Sequence, residues 1–278
     1  MKNLYFILFA TIFLSSTVMA QEKKNIYYNL FLPVPKKALR EMETDRPNVT
    51  ESPITVDAGH FQFESDLFRL DRETTESTLK NTYLFNQANL KLGITHSTAI
   101  QLVVQSFAYQ TEKSLEDGTI ERSHGFGDLT LRIKQNLMGN DHGSFAIAIL
   151  PYVKFPTAET EKDERYEGGL IVPMSLKLPS DWKLGMQVEA DRLQDSEGSG
   201  LHTQLLQSLT IGHSLINHVD GIAETYFTYD LKQHHWNNFL NAAIQIELAK
   251  DVKLDGGLNY GIKQDAMKSY FLGLSFRL

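Results

Sequence analysis

The chain has no cysteine in its 278 residues. That excludes a disulfide framework, a lipoprotein-type thiol anchor and thiolate metal sites. Beyond residue 20 no apolar run approaches the ~20 residues that a membrane-crossing helix needs. Positive charge is scarce: 27 Lys and Arg stand against 34 Asp and Glu, for a net charge of -7. So acidic a chain lacks the basic face that general nucleic-acid binding requires. No internal repeat of fixed period and no low-complexity segment occurs. Gly-x-Ser-x-Gly and His-Glu-x-x-His are absent, and the loop Glu197-Gly198-Ser199-Gly200 lacks the Lys of a phosphate loop.

What is present begins with an export signal. Lys2 gives a positive start, residues 4–14 are almost wholly apolar, and Val18-Met19-Ala20 sets a cut after Ala20. Residues 21–58 follow as a leader that holds Pro33, Pro35, Pro47 and Pro53. From Gly59 to the last residue, apolar and polar side chains alternate with period two in about twelve segments. They are 59–70, 80–94, 97–109, 126–138, 144–155, 166–178, 182–193, 201–213, 219–229, 236–249, 252–262 and 267–278. In the tenth, Leu240, Ala242, Ile244, Ile246 and Leu248 oppose Asn241, Gln245 and Glu247. In the second, Leu84, Ala88, Leu90 and Leu92 oppose Gln87, Asn89 and Lys91.

The gaps alternate in length. Residues 71–79, 110–125, 157–165, 194–200 and 230–235 read as longer loops, and 139–143, 179–181 and 250–251 as tight turns. Segments long enough for the roughly 9–11 residues of a tilted membrane strand, with long loops on one side, give an all-β fold. The expectation is a transmembrane antiparallel β-barrel of about twelve strands after a short periplasmic segment.

Alternation alone does not say which face is wet. A lipocalin-like soluble barrel, a periplasmic lipid carrier or a β-sandwich shares the pattern. Three features favour lipid outside. Twelve strands enclose a bore too wide for side chains to fill, since about eight already suffice for a filled interior. The polar face carries charges of both signs. Aromatic residues gather near strand ends, as in interfacial girdles: Tyr83, Phe85, Tyr152, Phe155, Trp182, Tyr226, Phe227, Trp236, Tyr260 and Phe276. The last segment places Tyr270, Leu272, Leu274, Phe276 and Leu278 at every second position.

That terminal pattern resembles the signal by which the barrel-assembly machinery recognises its clients, although an aromatic residue is more usual than Leu278 at the end. Two further stretches carry a family resemblance. One is Glu43-Thr44-Asp45-Arg46-Pro47, then Thr50-Glu51-Ser52-Pro53 and Gly59-His60-Phe61-Gln62-Phe63-Glu64. The other is Gly125-Phe126-Gly127-Asp128-Leu129 with Lys134 and, downstream, Pro151-Tyr152-Val153-Lys154-Phe155-Pro156-Thr157. From about Glu43 to the end the chain resembles the outer-membrane proteins grouped as transporters of the phenol meta-cleavage (MetA) pathway. The resemblance implies an outer-membrane transporter barrel. It carries over no substrate-binding residue, and no feature of the residues themselves specifies phenol.

By strand register Glu64, Asp66, Lys91, Asp128, Arg132, Lys134, Lys154, Glu189, Glu224 and Glu247 face the bore. They read either as a selectivity surface for a polar or amphipathic solute or as a fixed ion-pair network. Asp45, Arg46 and Glu51 sit just before the first strand. They read as contacts of a small plug, or as part of a disordered leader. Enzyme readings are weak: Ser208 and His213, as a lipid-hydrolase pair, fall on opposite faces of one strand. Adjacent His234 and His235 cannot alone complete a metal site; His124 and His142 are single loop histidines. No cofactor or metal is expected. The expected partners are outer-membrane lipid, the assembly machinery and an unidentified small solute, with no nucleic acid. The leading function is passage of that solute across the outer membrane; a closed structural or surface-binding barrel, and less so a lipid hydrolase, are the alternatives.

Overall fold

The computed structural model describes residues 27–159, 165–195, 200–263 and 265–278. The expected signal peptide, residues 21–26 of the leader and residues 197–199 lie outside them. Among the described residues the strand segments are β1 (Phe61–Thr74), β2 (Thr78–Gly93), β3 (Thr98–Val104), β4 (Phe107–Ser114), β5 (Ile120–Gly125), β6 (Leu129–Met138) and β7 (Phe145–Phe155). They continue as β8 (Glu167–Lys177), β9 (Trp182–Gln194), β10 (Leu201–Ile216), β11 (Val219–Asp230), β12 (His235–Ala249), β13 (Val252–Gly261) and β14 (Lys268–Arg277).

β3 and β4 are halves of one barrel strand, since both pair with β2, at Gly93↔Ala99 to Ala88↔Val104 and at Phe85↔Phe107 to Thr78↔Ser114. β5 and β6 are likewise halves of the next. Counted this way, twelve antiparallel strands go round once, and β1 closes on β14 from Gln62↔Arg277 to Arg72↔Lys268. Closure leaves the membrane-crossing wall no free edge, which hydrocarbon would not tolerate.

Side-chain alternation sets the two faces. Along β12, Leu240, Ile244 and Leu248 are exposed, while Asn241 and Gln245 are buried. Leu131, Ile133, Leu209 and Leu272 extend the exposed apolar belt around the wall. So much exposed apolar surface would be a liability in water; against lipid it is the stable arrangement.

One band of the wall breaks the regular pairing. The β1 register skips between Asp66 and Phe68. Opposite it in β2, Asn86 has φ 52°. Residues 105–106 separate β3 from β4, and 126–128 separate β5 from β6. Here the Gly-Phe-Gly-Asp element finds its physical reason. Gly127 donates its N–H to the Gln105 carbonyl at 2.8 Å, and a Cβ at Gly127 would lie 2.7 Å from that of Gln105. Asp128 then accepts the backbone N–H groups of Thr157 and Ala158 at 2.9 and 3.0 Å. On the outer wall the same band gathers Tyr109, Tyr83, Phe68, Phe85 and Phe107 in a row, with His124 and Phe126 both against Phe107, at ring-centroid distances of 5.6–6.5 Å.

The structure corrects the sequence reading at several points. Residues 71–79 and 110–125 are not mainly loop: β1 pairs with β2 as far as Thr74↔Leu79, and β4 with β5 as far as Lys113↔Ile120. These hairpins rise above the lipid, where both faces are wet and no apolar alternation marks a strand. Leu84 pairs with Arg69 on the inner face, because the irregularity at Asn86 shifts the phase. Tyr152 and Tyr226 are not girdle residues; Tyr152 bonds Asp191 inside the bore at 2.6 Å, and Tyr226 is buried against Phe239.

Residues 27–42 run along the rim formed by the ends of β1, β2 and β14, with one 3-10 turn at Lys36–Ala38. From there residues 43–57 enter the bore.

Candidate functional site

Residues 43–57 form no ladder, so their backbone N–H groups need other partners once buried. The wall supplies them as side chains. Glu64 of β1 accepts the N–H groups of Asp45 and Arg46 at 3.0 and 3.1 Å. Glu224 of β11 accepts those of Val49 and Thr50 at 2.9 and 2.7 Å, and the Thr50 hydroxyl at 2.6 Å. Gln187 of β9 accepts the Glu51 N–H at 2.8 Å. Pro47 and Pro53 have no N–H to satisfy, and the Asn136 amide donates to the Pro53 carbonyl at 2.9 Å.

Ion pairs of alternating sign complete the attachment. Lys91 bonds both Asp45 and Glu64. Lys134 reaches Asp45 at 2.7 Å and the Ser52 carbonyl at 2.7 Å. Arg132 pairs with Glu51. Arg46 pairs with Asp66 at 2.5 Å and Asp255 of β13 at 2.6 Å. Its guanidinium carbon lies 5.8 Å from the Phe271 ring centroid, directly over Gly273, where a Cβ would fall 1.9 Å from a guanidinium nitrogen. These charges sit out of bulk solvent. The association gains little net energy, but removal of one member strands its partner, at a cost of roughly 3–5 kcal/mol.

Six of the ten expected bore residues therefore converge on the leader: Glu64, Asp66, Lys91, Arg132, Lys134 and Glu224, around Asp45, Arg46 and Glu51. The others do not join them. Lys154 links Asp128 and Glu167, each at 2.9 Å. Glu189 accepts from the Gln187 amide at 2.7 Å. Glu247 stands at the end of β12, 3.4 Å from His218 and with its side chain 37% exposed.

Other participants were not singled out from sequence. Asp255, Gln187 and Asn241 share the inward parity of their strands, and that parity was the available signal. At the rim, Asp57 takes Arg40 at 2.8 Å and Arg277 at 3.0 Å, and Arg277 also pairs with Asp251 at 2.5 Å. No motif announces this lock, since Arg40 and Asp57 come from the leader and Asp251 and Arg277 from the last part of the barrel.

A cavity and a buried apolar cluster flank the leader. On the rim side a cavity of about 390 Å³ is lined by Glu43 and Ile54 of the leader and by Ala146, Gly185 and Gln245 of the wall. On the other side the leader covers an apolar cluster: Tyr226 and Phe239 stack at 4.6 Å, buried with Ala266 under Val49 and Leu206.

Ser208 and His213 are not brought together. Ser208 shares a hydrogen bond of 2.6 Å with Thr50 inside, whereas His213 stacks on Trp182 at 4.2 Å. Among the described residues no three His, Asp or Glu side chains form a metal-holding group.

A closed twelve-strand wall entered by a charged Thr-Asp-Arg-Pro segment is the arrangement the sequence profile of one family spans, over residues 44–278. The chain belongs to the family described as "Putative MetA-pathway of phenol degradation". The match includes the leader from Thr44 onward, so the family's shared unit is barrel and leader together. No curated protein sequence matches the chain. Among solved structures, the COG4313 outer membrane channel from Pseudomonas putida F1 is similar, with TM-score 0.58, 13% identity, and coverage of 85% of this chain and 100% of that one. The NanC porin is similar with TM-score 0.51, 11% identity, and coverage of 78% and 100%. At these identities the likeness establishes the outer-membrane barrel fold.

Proposed function

We propose that this barrel passes a small solute across the outer membrane, and that residues 43–57 act as its plug. One observation carries the reading: the bore is occupied by a chain segment held through ion pairs and hydrogen bonds rather than by a continuous apolar core. Water and mobile ions can replace such contacts one at a time as the segment shifts, which they cannot do for packed hydrocarbon. The family description supports a ring-bearing solute, and the stacked Tyr226 and Phe239, covered by Val49 of the leader, become a surface that suits one when the plug withdraws. The wall charges left free of the leader, Lys154, Asp128 and Glu189, then meet the solute's polar groups.

The competing reading is a permanently closed structural barrel, favoured by the two carboxylate clamps at Glu64 and Glu224. Planar-bilayer recording decides between them. The absence of native cysteine permits a clean lock, in which Thr50→Cys and Ser208→Cys replace hydroxyls 2.6 Å apart. The oxidised double variant is expected to be silent, to conduct after reduction, and to be exceeded by a chain lacking residues 43–57. Silence of that deletion variant in a folded, heat-modifiable barrel would refute the pore.

A further inference from the structure

Before it enters the bore, the leader makes a tight turn that displays apolar side chains to the outside. Tyr27 is 80% exposed, Phe31 93% and Leu32 50%. This turn is rigid. The Asn29 side chain accepts the N–H groups of Phe31 and Leu32 at 2.9 and 3.1 Å, and the backbone closes from Asn29 to Leu32 in both directions. It is also fixed to the barrel. The Leu30 N–H donates to the Ile94 carbonyl at 2.9 Å, Asn29 bridges Thr95, and the Val34 N–H donates to the Ala58 carbonyl at 3.0 Å. Pro33 lies so close to Gly59, which has φ 78°, that a Cβ there would be 2.5 Å away. A built turn is therefore holding a phenylalanine almost fully out of contact with protein.

Its place on the barrel indicates what covers it. Ile94 and Thr95 directly follow Gly93, the last residue of β2, so the turn hangs where the lipid-facing wall ends. Exposed Ile100, Ile133, Leu137 and Met138 belong to the neighbouring strands on that side. Just beyond the turn Lys36 and Lys37 are exposed, and neither takes part in an ion pair among those described. Apolar side chains beside free lysines at the end of a membrane wall match the interfacial arrangement, with rings at headgroup level and ammonium groups on phosphates.

We propose that residues 27–37 form a foot that inserts Tyr27, Phe31 and Leu32 into the phospholipid leaflet around the barrel, with Lys36 and Lys37 on its phosphates. The occupant is the surrounding lipid, because the turn hangs from the end of the lipid-facing wall at Ile94 and Thr95 and the exposed Lys36 and Lys37 beside it suit lipid phosphates. The foot holds the upstream end of the plug segment at the membrane. Displacement of residues 43–57 then bends the chain between two fixed points, the foot and Gly59.

The cysteine-free background allows a unique label. Phe31→Cys carrying an environment-sensitive fluorophore is reconstituted into phosphatidylethanolamine/phosphatidylglycerol vesicles. Glu116→Cys, in the opposite β4–β5 turn, is the wet reference. The expected result is a several-fold weaker quenching by aqueous iodide at position 31 than at 116, with strong quenching by lipids brominated near the headgroup. In the Phe31→Cys background, Lys36→Glu with Lys37→Glu should reduce the lipid quenching in vesicles that contain phosphatidylglycerol. Iodide quenching at 31 equal to that at 116 overturns the proposal. Protection from iodide without quenching by brominated lipid also overturns it, because a second copy of the chain then covers the turn. Heat-modifiable migration of each labelled protein confirms that the reading comes from folded barrel. Channel activity does not enter the readout, so failure of the foot and failure of the pore are separate results.

Discussion

At the scale of single residues, the bore charges act mainly on backbone. Glu224 shows this best, since its carboxylate takes two N–H groups and a hydroxyl of the leader and a fourth bond from Asn241. Hydrogen bonds to a charged acceptor contribute about 1.5–3 kcal/mol each. Glu224→Ala leaves Val49 and Thr50 without acceptors and is expected to raise protease cleavage within residues 43–57 by at least about tenfold, the equivalent of roughly 1.4 kcal/mol. Glu224→Gln keeps one acceptor oxygen and turns an amide donor toward N–H groups, so it falls between Ala and the parent chain. Limited proteolysis of the reconstituted protein measures both, and equal cleavage rates in all three would show that Glu224 does not hold the leader. Sequence reading named Glu224 as a bore charge but not its task, because backbone N–H groups are not letters. For the same reason Gly273 carried no visible signal, and Thr50 only its place in the Thr-Glu-Ser-Pro stretch, although the Thr50 hydroxyl bonds Glu224 and the Arg46 guanidinium occupies the space a side chain at Gly273 would need.

At the scale of strands, period two was enough wherever one face meets hydrocarbon. β12 and β14 were legible almost residue by residue, since Leu and Ile against Asn, Gln and Ser leave one solution. The signal faded where that contrast ends. Above the membrane, Arg72, Glu73, Lys80, Glu112 and Arg122 lie on paired strands whose two faces are both polar, so they resemble loop. It also failed at the band of irregular pairing, where one extra residue at Leu67 and a left-handed Asn86 reverse the phase of everything beyond. The band is held by close backbone approach at Gly127, and a side chain there has no room. Gly127→Ala is expected to destabilise the barrel by about 1–3 kcal/mol through overpacking. Gly212→Ala, where the nearest atoms to a new Cβ are 3.9 Å away, is expected to change stability by less than about 0.5 kcal/mol. Urea unfolding in lipid vesicles compares them, and similar midpoints would mean that the band tolerates a wider spacing.

At the scale of the whole molecule, the leader's attachments come from strands far apart in the chain. Asp45 bonds Glu64 and Lys91 near the start of the barrel and Lys134 in its middle; Thr50 bonds Glu224; Arg46 pairs with Asp255; Asp57 pairs with the penultimate residue, Arg277. Arg277 reaches Asp57 only when β14 has paired with β1, because its own register partner is Gln62. Contacts of such sequence separation form late, after the entropy of closing the intervening loops has been met. A leader threaded through a half-formed sheet would also have Asp45 and Glu51 without their cations, a costly state for buried carboxylates. The order of assembly follows: the wall closes first and the leader docks second. In refolding from urea into lipid vesicles, the heat-modifiable band is expected to appear before residues 43–57 become resistant to protease. Asp57→Asn should leave the first event unchanged and delay the second, because it weakens the attachment that joins leader to last strand while the wall's own Arg277–Asp251 pair stays in place. Protease resistance that precedes the heat-modifiable band would reverse this order and make the leader a template around which the strands close.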